Sequence, residues 1–241
     1  LSGDGNVVGY ALSGSSPIIH AKENTIDFTF NSGKRYSSFN TGGSETTGIA
    51  INQDGTYVVT SQIDYEVRVF KWDGTDYLQI GNSINRCSGD TYTENFFGYS
   101  YGQIAISDNG KTIAVSSNYA DDPNTTETRT GAICVFEYIN SSWTQKGSTI
   151  WGEKDDYELG IQIDLSGDAK RLTVGSFETA GVEWNDPDRF LGKVKVYEWS
   201  NLDTNWKQTG FDINGELAGD RVGRMSMSSD GNSLVINYGM N

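Results

Sequence analysis

Apolar and polar residues alternate along this chain in short runs, and each run breaks at a turn. Ile104-Ala-Ile106-Ser-Asp108-Asn-Gly110-Lys-Thr-Ile113-Ala-Val115 has the clearest form: strand, tight turn, strand. Asp-Gly or Asn-Gly between alternating apolar residues predicts a hairpin, because such turns need positive φ. Ile51 to Val59 (turn Asp54-Gly55), Met227 to Val235 (turn Asp230-Gly231) and Leu1 to Val8 (turn Asp4-Gly5) repeat it. Leu165 to Leu172 carries Asp168-Ala169 instead, and Ala predicts another turn type there. The Asp residues of these turns are read as turn formers. A third strand follows each hairpin after a loop of variable length: Glu66–Trp72, Ala132–Tyr138 and Lys193–Trp199, alternating and rich in β-branched and aromatic residues.

The fourth strand carries the strongest internal repeat. Trp143-Thr-Gln145-Lys-Gly147-Ser-Thr-Ile150-Trp-Gly152-Glu153 returns 63 residues later as Trp206-Lys-Gln208-Thr-Gly210-Phe-Asp-Ile213-Asn-Gly215-Glu216. A worn copy stands upstream as Tyr77-Leu-Gln79-Ile-Gly81-Asn-Ser-Ile84. Self-similarity at this period means one supersecondary unit used several times. Four antiparallel strands per unit predict an all-β fold, a β-propeller of four-stranded blades. The turns at residues 5, 55, 110, 169 and 231 step by 50, 55, 59 and 62. The approximate units are 1–46, 47–100, 101–159, 160–221 and a partial 222–241 within one domain. The lengthening falls in the polar loops 117–130 and 176–191, where binding is expected. A four-bladed ring would leave one hairpin strand over, so the chain is read as a segment of a larger ring.

The pattern Trp-x-Gln-x-Gly-x-x-Ile-x-Gly-Glu, then Gly219-Asp220, an alternating strand and Ser-x-Asp-Gly resembles a β-propeller repeat family. Its members are large secreted or surface proteins of marine algae, protists and bacteria, distantly akin to integrin-type FG-GAP propellers. The likeness spans nearly the whole chain and is strongest from residue 100 onward. It implies a binding or structural module outside the cell. Integrin-type blades often hold Ca²⁺ in Asp-x-Asp-x-Asp-Gly loops, and this sequence has none, so that role does not transfer.

Composition narrows the partners. The 18 basic and 32 acidic residues leave a net charge of −14, which disfavours nucleic acid and anionic membrane surfaces. No apolar run is long enough to cross a bilayer as a helix. Leu1 opens directly onto a turn with no apolar leader, which reads as a processed or trimmed start. Aromatic residues make up 12% of the chain, enough for a real core in spite of the modest 36% apolar content. Cys87 and Cys134 could form one bridge, but Cys134 within Ile-Cys-Val-Phe reads as a buried free thiol.

Catalytic constellations are thin, and the chain is read as non-catalytic. His20 is the one histidine, and general acid–base work needs a positioned partner. Asp121, Asp122, Asp155 and Asp156 form the best acidic clusters, with Ca²⁺ as the cofactor they suggest. Trp151 and Trp184 lie off the repeating positions and are candidate contacts for sugar or protein. Trp72, Trp143, Trp199 and Trp206 recur and are read as blade packing. The sequons at Asn124 and Asn140 fall in loops or turns, as glycosylation requires. The expected role is an extracellular or surface scaffold contacting proteins or glycans within a larger assembly. A polysaccharide hydrolase or lyase using loop carboxylates is the alternative.

Overall fold

Turn chemistry sets where the strands stop. At each described hairpin a Ser or Asn oxygen accepts the amide five residues on: Asn52 from Tyr57, Ser107 from Thr112, Ser166 from Arg171, Ser228 from Ser233. Two residues beyond, Asp54, Asn109, Asp168 and Asp230 accept the amides of Thr56, Lys111, Lys170 and Asn232. Slight burial pushes the Asp54 and Asp168 carboxyls up, but hydrogen bonds from Thr56 and Lys170 outweigh it and hold both below the usual range. The next residue crosses to positive φ in every copy: 74° at Gly55, 69° at Gly110, 70° at Gly231 and 56° at Ala169. Ala169 therefore keeps the conformation of its glycine counterparts, against the expectation of another turn type. Its methyl group is buried in the core, which offsets part of the left-handed strain.

The computed structural model describes residues 19–22, 25–29, 35–40, 46–62, 66–85, 87, 103–153, 158–176, 191–217 and 219–237. Eighteen strands and no helix occur among the described residues. A three-stranded sheet comes first: β1 (Ile19–Lys22), β2 (Thr25–Thr29) and β3 (Arg35–Asn40). Three antiparallel meanders follow, each with four consecutive strands. They are β4 (Thr46–Ile51), β5 (Tyr57–Gln62), β6 (Val67–Trp72) and β7 (Tyr77–Gln79) in the second sheet. The third holds β8 (Ile104–Ile106), β9 (Thr112–Ser117), β10 (Ala132–Ile139) and β11 (Ser142–Gln145), with β12 (Ile150–Trp151) also on β10. The fourth holds β13 (Gln162–Leu165), β14 (Arg171–Ser176), β15 (Lys193–Ser200) and β16 (Asn205–Asn214). A closing pair, β17 (Arg224–Met227) and β18 (Leu234–Asn237), forms the fifth.

The second to fifth sheets stack face to face in order, which explains why the central strands of the third are buried on both sides. In β9 and β10, Ile113, Val115, Cys134 and Phe136 face the second sheet's Val59, Val67 and Val69. The alternate residues Ala114, Ile133 and Val135 face the fourth sheet's Leu172 and Val174. Val194, Val222 and Met225 join the fourth sheet to the fifth. Fully burying each Val, Leu or Ile stabilises by about 1.5–3 kcal/mol, so these layers carry most of the folding energy.

The first strands form the line of contact. β8 lies against β4 and β5, β13 against β8 and β9, and β17 against β13 and β14. Their turns converge. Asp108 N–H donates to Gly167 O at 2.9 Å, Gly167 N–H donates to Ser229 O at 2.7 Å, and Ser229 Oγ donates to Asp108 Oδ2 at 2.7 Å. The third and fifth sheets thus touch at their turns although the fourth stands between them. A Cβ at Gly167 would lie 2.0 Å from Asp108 Oδ2, so any other residue would push the Asp108–Ser229 side-chain bond aside.

The outer strands interlock through the repeated signature. Trp143 Nε1 donates to Ile80 O at 3.0 Å, and Trp206 Nε1 donates to Lys146 O at 3.1 Å. Each accepting carbonyl precedes a glycine at positive φ, 70° at Gly81 and 81° at Gly147. Over each glycine lies an aromatic pair of the next sheet, Tyr138–Trp143 or Trp199–Trp206, with centroids 5.1 and 5.5 Å apart. The Trp-x-Gln-x-Gly motif is therefore a sheet-to-sheet fastener: its Trp grips the preceding sheet and its Gly receives the following one.

Each fastener has a second cross-link beside it. Ten residues after the opening aromatic stand Cys87 and Glu153; four residues before the third-strand aromatic of the next sheet stand Cys134 and Lys195. Cys87 and Cys134 form a disulfide with Cα atoms 5.9 Å apart, inside the usual range. This corrects the reading of Cys134 as a free thiol: its partner arrives from the preceding unit. At the same place one sheet on, Lys195 pairs with Glu153, and also approaches Asp212 at 3.9 Å.

Candidate functional site

The two ends of the sheets differ chemically. At the end carrying the loops between second and third strands, Asp121 accepts the Arg129 amide at 2.6 Å. Asp122 accepts the backbone and side-chain N–H groups of Asn124, both at 2.9 Å. The Arg129 guanidinium lies 4.8 Å from the Tyr119 ring and donates to Glu158 Oε1 at 2.8 Å, tying the loop to the segment just before the fourth sheet. Both carboxylates thus shape their own loop. Among the described residues no group of three or more His, Cys, Asp or Glu stands close enough to hold a metal ion. Asp155, Asp156 and Trp184 lie outside the described residues.

Trp151 is not a loop residue. It lies in β12 opposite Ala132, half-buried and packed on the core between the second and third sheets, so it is a packing residue and not a free stacking surface. Asn124 and Asn140 both stand on exposed turns, Asn140 with φ of 50° at the tip between β10 and β11. His20 falls in β1, paired in register with Asp27 of β2.

The opposite end, where the hairpin turns gather, holds a recess that the sequence reading missed. It measures about 320 Å³ and is lined by Asp168, Lys170, Arg171, Glu198, Trp199, Asp230 and Asn232. Arg171 organises it. Its Nε donates to Glu198 Oε1 at 2.8 Å, and its Nη1 donates to Gly231 O and Asn232 Oδ1 at 2.9 and 2.8 Å. The guanidinium thus bridges the fourth and fifth sheets. Lys170 pairs with Asp168 at 3.0 Å on the rim. The Asp230 carboxyl is held low by hydrogen bonds from Ser228 and Asn232 and by the nearby Arg171 charge. Fixed carboxylates, a guanidinium and an indole suit a hydroxyl-rich ligand. One signal could have found the site: at this place in the repeat the other units have Val7, Tyr57, Thr112 and Ser233, and Arg171 alone is cationic.

No family model matches the chain, and no curated sequence matches it. Solved structures do share its chain path. A functionally unknown protein from Desulfotomaculum acetoxidans matches with a TM-score of 0.58 and 14% identity over 95% of this chain and 61% of its own. A "putative 6-phosphogluconolactonase" from Bacteroides uniformis matches with a TM-score of 0.54 and 11% identity over 91% of this chain and 62% of its own. This chain spans about three fifths of both, and at such identities the likeness is one of fold. What the fold and the comparisons establish together is an all-β chain of repeated four-stranded antiparallel sheets.

Proposed function

We propose that this chain is a segment of a β-propeller, serving as a non-catalytic scaffold at the cell surface or outside the cell. Its contacts are with glycans or proteins. The observation that carries the reading is the fastener repeated between outer strands. It locks each sheet to the next and leaves the two ends free to vary, one bearing unequal loops and the other the Arg171 recess. The convergence of the hairpin turns on Gly167 supports sheets arranged about one axis. The Cys87–Cys134 disulfide supports an oxidising compartment, and the exposed sequons at Asn124 and Asn140 agree with it. The recess supports a glycan contact, because hydroxyl groups can bond fixed carboxylates while a ring face meets Trp199.

A panel of acidic and neutral polysaccharides tests this. Saturable binding that weakens at least tenfold with Arg171→Ala, with no release of reducing ends, is the expected result. Turnover of any glycan that stops on removing a single carboxylate would establish the hydrolase or lyase reading instead.

A further inference from the structure

The fastener between sheets is used twice within the described chain, and its third copy is open. Thr209 O and Gly210 of β16 stand where Ile80 O with Gly81, and Lys146 O with Gly147, receive an indole. Gly210 has the same left-handed backbone, with φ of 73°, yet a Cβ there would meet nothing within 4 Å. At Gly81 and Gly147 the same Cβ would run into the aromatic pair of the next sheet. Phe211, the residue after the glycine, is 96% exposed, whereas its counterparts Asn82 and Ser148 bond to the hairpin of the following sheet.

Two further features of the same edge are open. Glu216 stands where Cys87 and Glu153 cross-link to the next sheet, but it is exposed and without an ion-pair partner among the described residues. β18 is a second strand, like β5, β9 and β14. Each of those carries a third strand on its outer edge, and β18 pairs only with β17 among the described residues. Val235 of β18 is 72% exposed.

We infer that this edge is a docking site for one more β-hairpin of the same repeat type. The three open features define its chemistry. Its first strand adds to β18 and carries Lys or Arg four residues before an aromatic, to pair with Glu216. A short turn follows, and the second strand opens on Trp or Tyr, whose ring covers Gly210 and whose N–H or O–H reaches Thr209 O. Adding a strand supplies backbone hydrogen bonds, while the aromatic and the cation supply selectivity. The inference rests on sheet geometry and not on the glycan-contact role, so a negative hairpin titration and a negative glycan panel are separable results.

The probe is a fluorescently labelled hairpin of residues 193–214, joined end to end through an Asn-Gly turn, titrated into the full chain and followed by anisotropy. It carries Lys195, Trp199 and Trp206 at the required places. Saturable binding is expected, at least tenfold weaker for the Trp206→Ala hairpin and lost for the Gly210→Val chain. Glu216→Lys in the chain should weaken binding severalfold, and Lys195→Glu in the hairpin should restore it. Glu216 is exposed, so that variant keeps the fold, as circular dichroism will check. Absence of binding, or binding that ignores both Gly210→Val and the charge exchange, overturns the inference. Concentration-dependent self-association of the chain that Gly210→Val abolishes also overturns it, by assigning the edge to a second copy.

Discussion

Replacing Cys87 and Cys134 together by serine removes the one covalent tie between units, and its cost can be worked from the chain. The bridge closes a loop with a sequence separation of 47 residues. On the chain-entropy account, a loop of that length removes about 4 kcal/mol of freedom from the unfolded state. Both sulfurs are buried between the second and third sheets, so the smaller serine hydroxyls would also sit in an apolar layer. The double variant should therefore lose about 4 kcal/mol, which for a chain of this size lowers Tm by roughly 8 °C or more. Urea unfolding of oxidised, reduced and double-serine protein, read by tryptophan fluorescence, measures it. The reduced and double-serine forms should both show a lowered midpoint, the double-serine form the lower of the two because of its buried hydroxyls. A loss below about 1 kcal/mol would refute the loop-entropy argument. Recovery of two free thiols from protein denatured without reductant would refute the pairing itself.

The fastener and one half-buried carboxyl yield further expectations. Gly147→Ala forces a methyl group into left-handed backbone and to within 3.1 Å of the Trp199 and Trp206 rings. It should cost about 2–4 kcal/mol in urea unfolding, strain and overpacking together. Gly210→Ala, with a similar φ and open space, should cost only the strain of about 1–2 kcal/mol, and equal losses would sink the fastener argument. Asp164 is pushed up by burial, only partly offset by the Met227 and Leu165 amides and the Ser226 hydroxyl. With its folded pKa above the unfolded value of 3.8, its contribution to stability is full below 3.8 and is lost as pH rises through the folded pKa. Asp164→Asn keeps an oxygen for the Met227 amide, so it should raise Tm at pH 7, with the gain vanishing below pH 3.8. A variant less stable than its parent at pH 7 would contradict this.

The sequence by itself determined the strands of the four-stranded sheets and their order, because the signals are local. Ser-x-Asp-Gly makes its hydrogen bonds within five residues, and the near-continuous apolar run of β10 follows from its two buried faces. Turn conformation was less legible at Ala169, where neighbouring sheets bury the methyl group and hold the backbone left-handed. The recess was hidden for a related reason, since Arg171 acquires meaning only when the fifth sheet brings Gly231 and Asn232 to it. Trp151 read as a position off the repeating core because a two-residue strand has too few positions for alternation to register. The tertiary structure alone decided which units touch. Cys87 meets Cys134, Glu153 meets Lys195 and Asp108 meets Ser229 because sheet stacking brings together residues 42 to 121 positions apart. Local propensity carries no information at that range; packing of the faces supplies it.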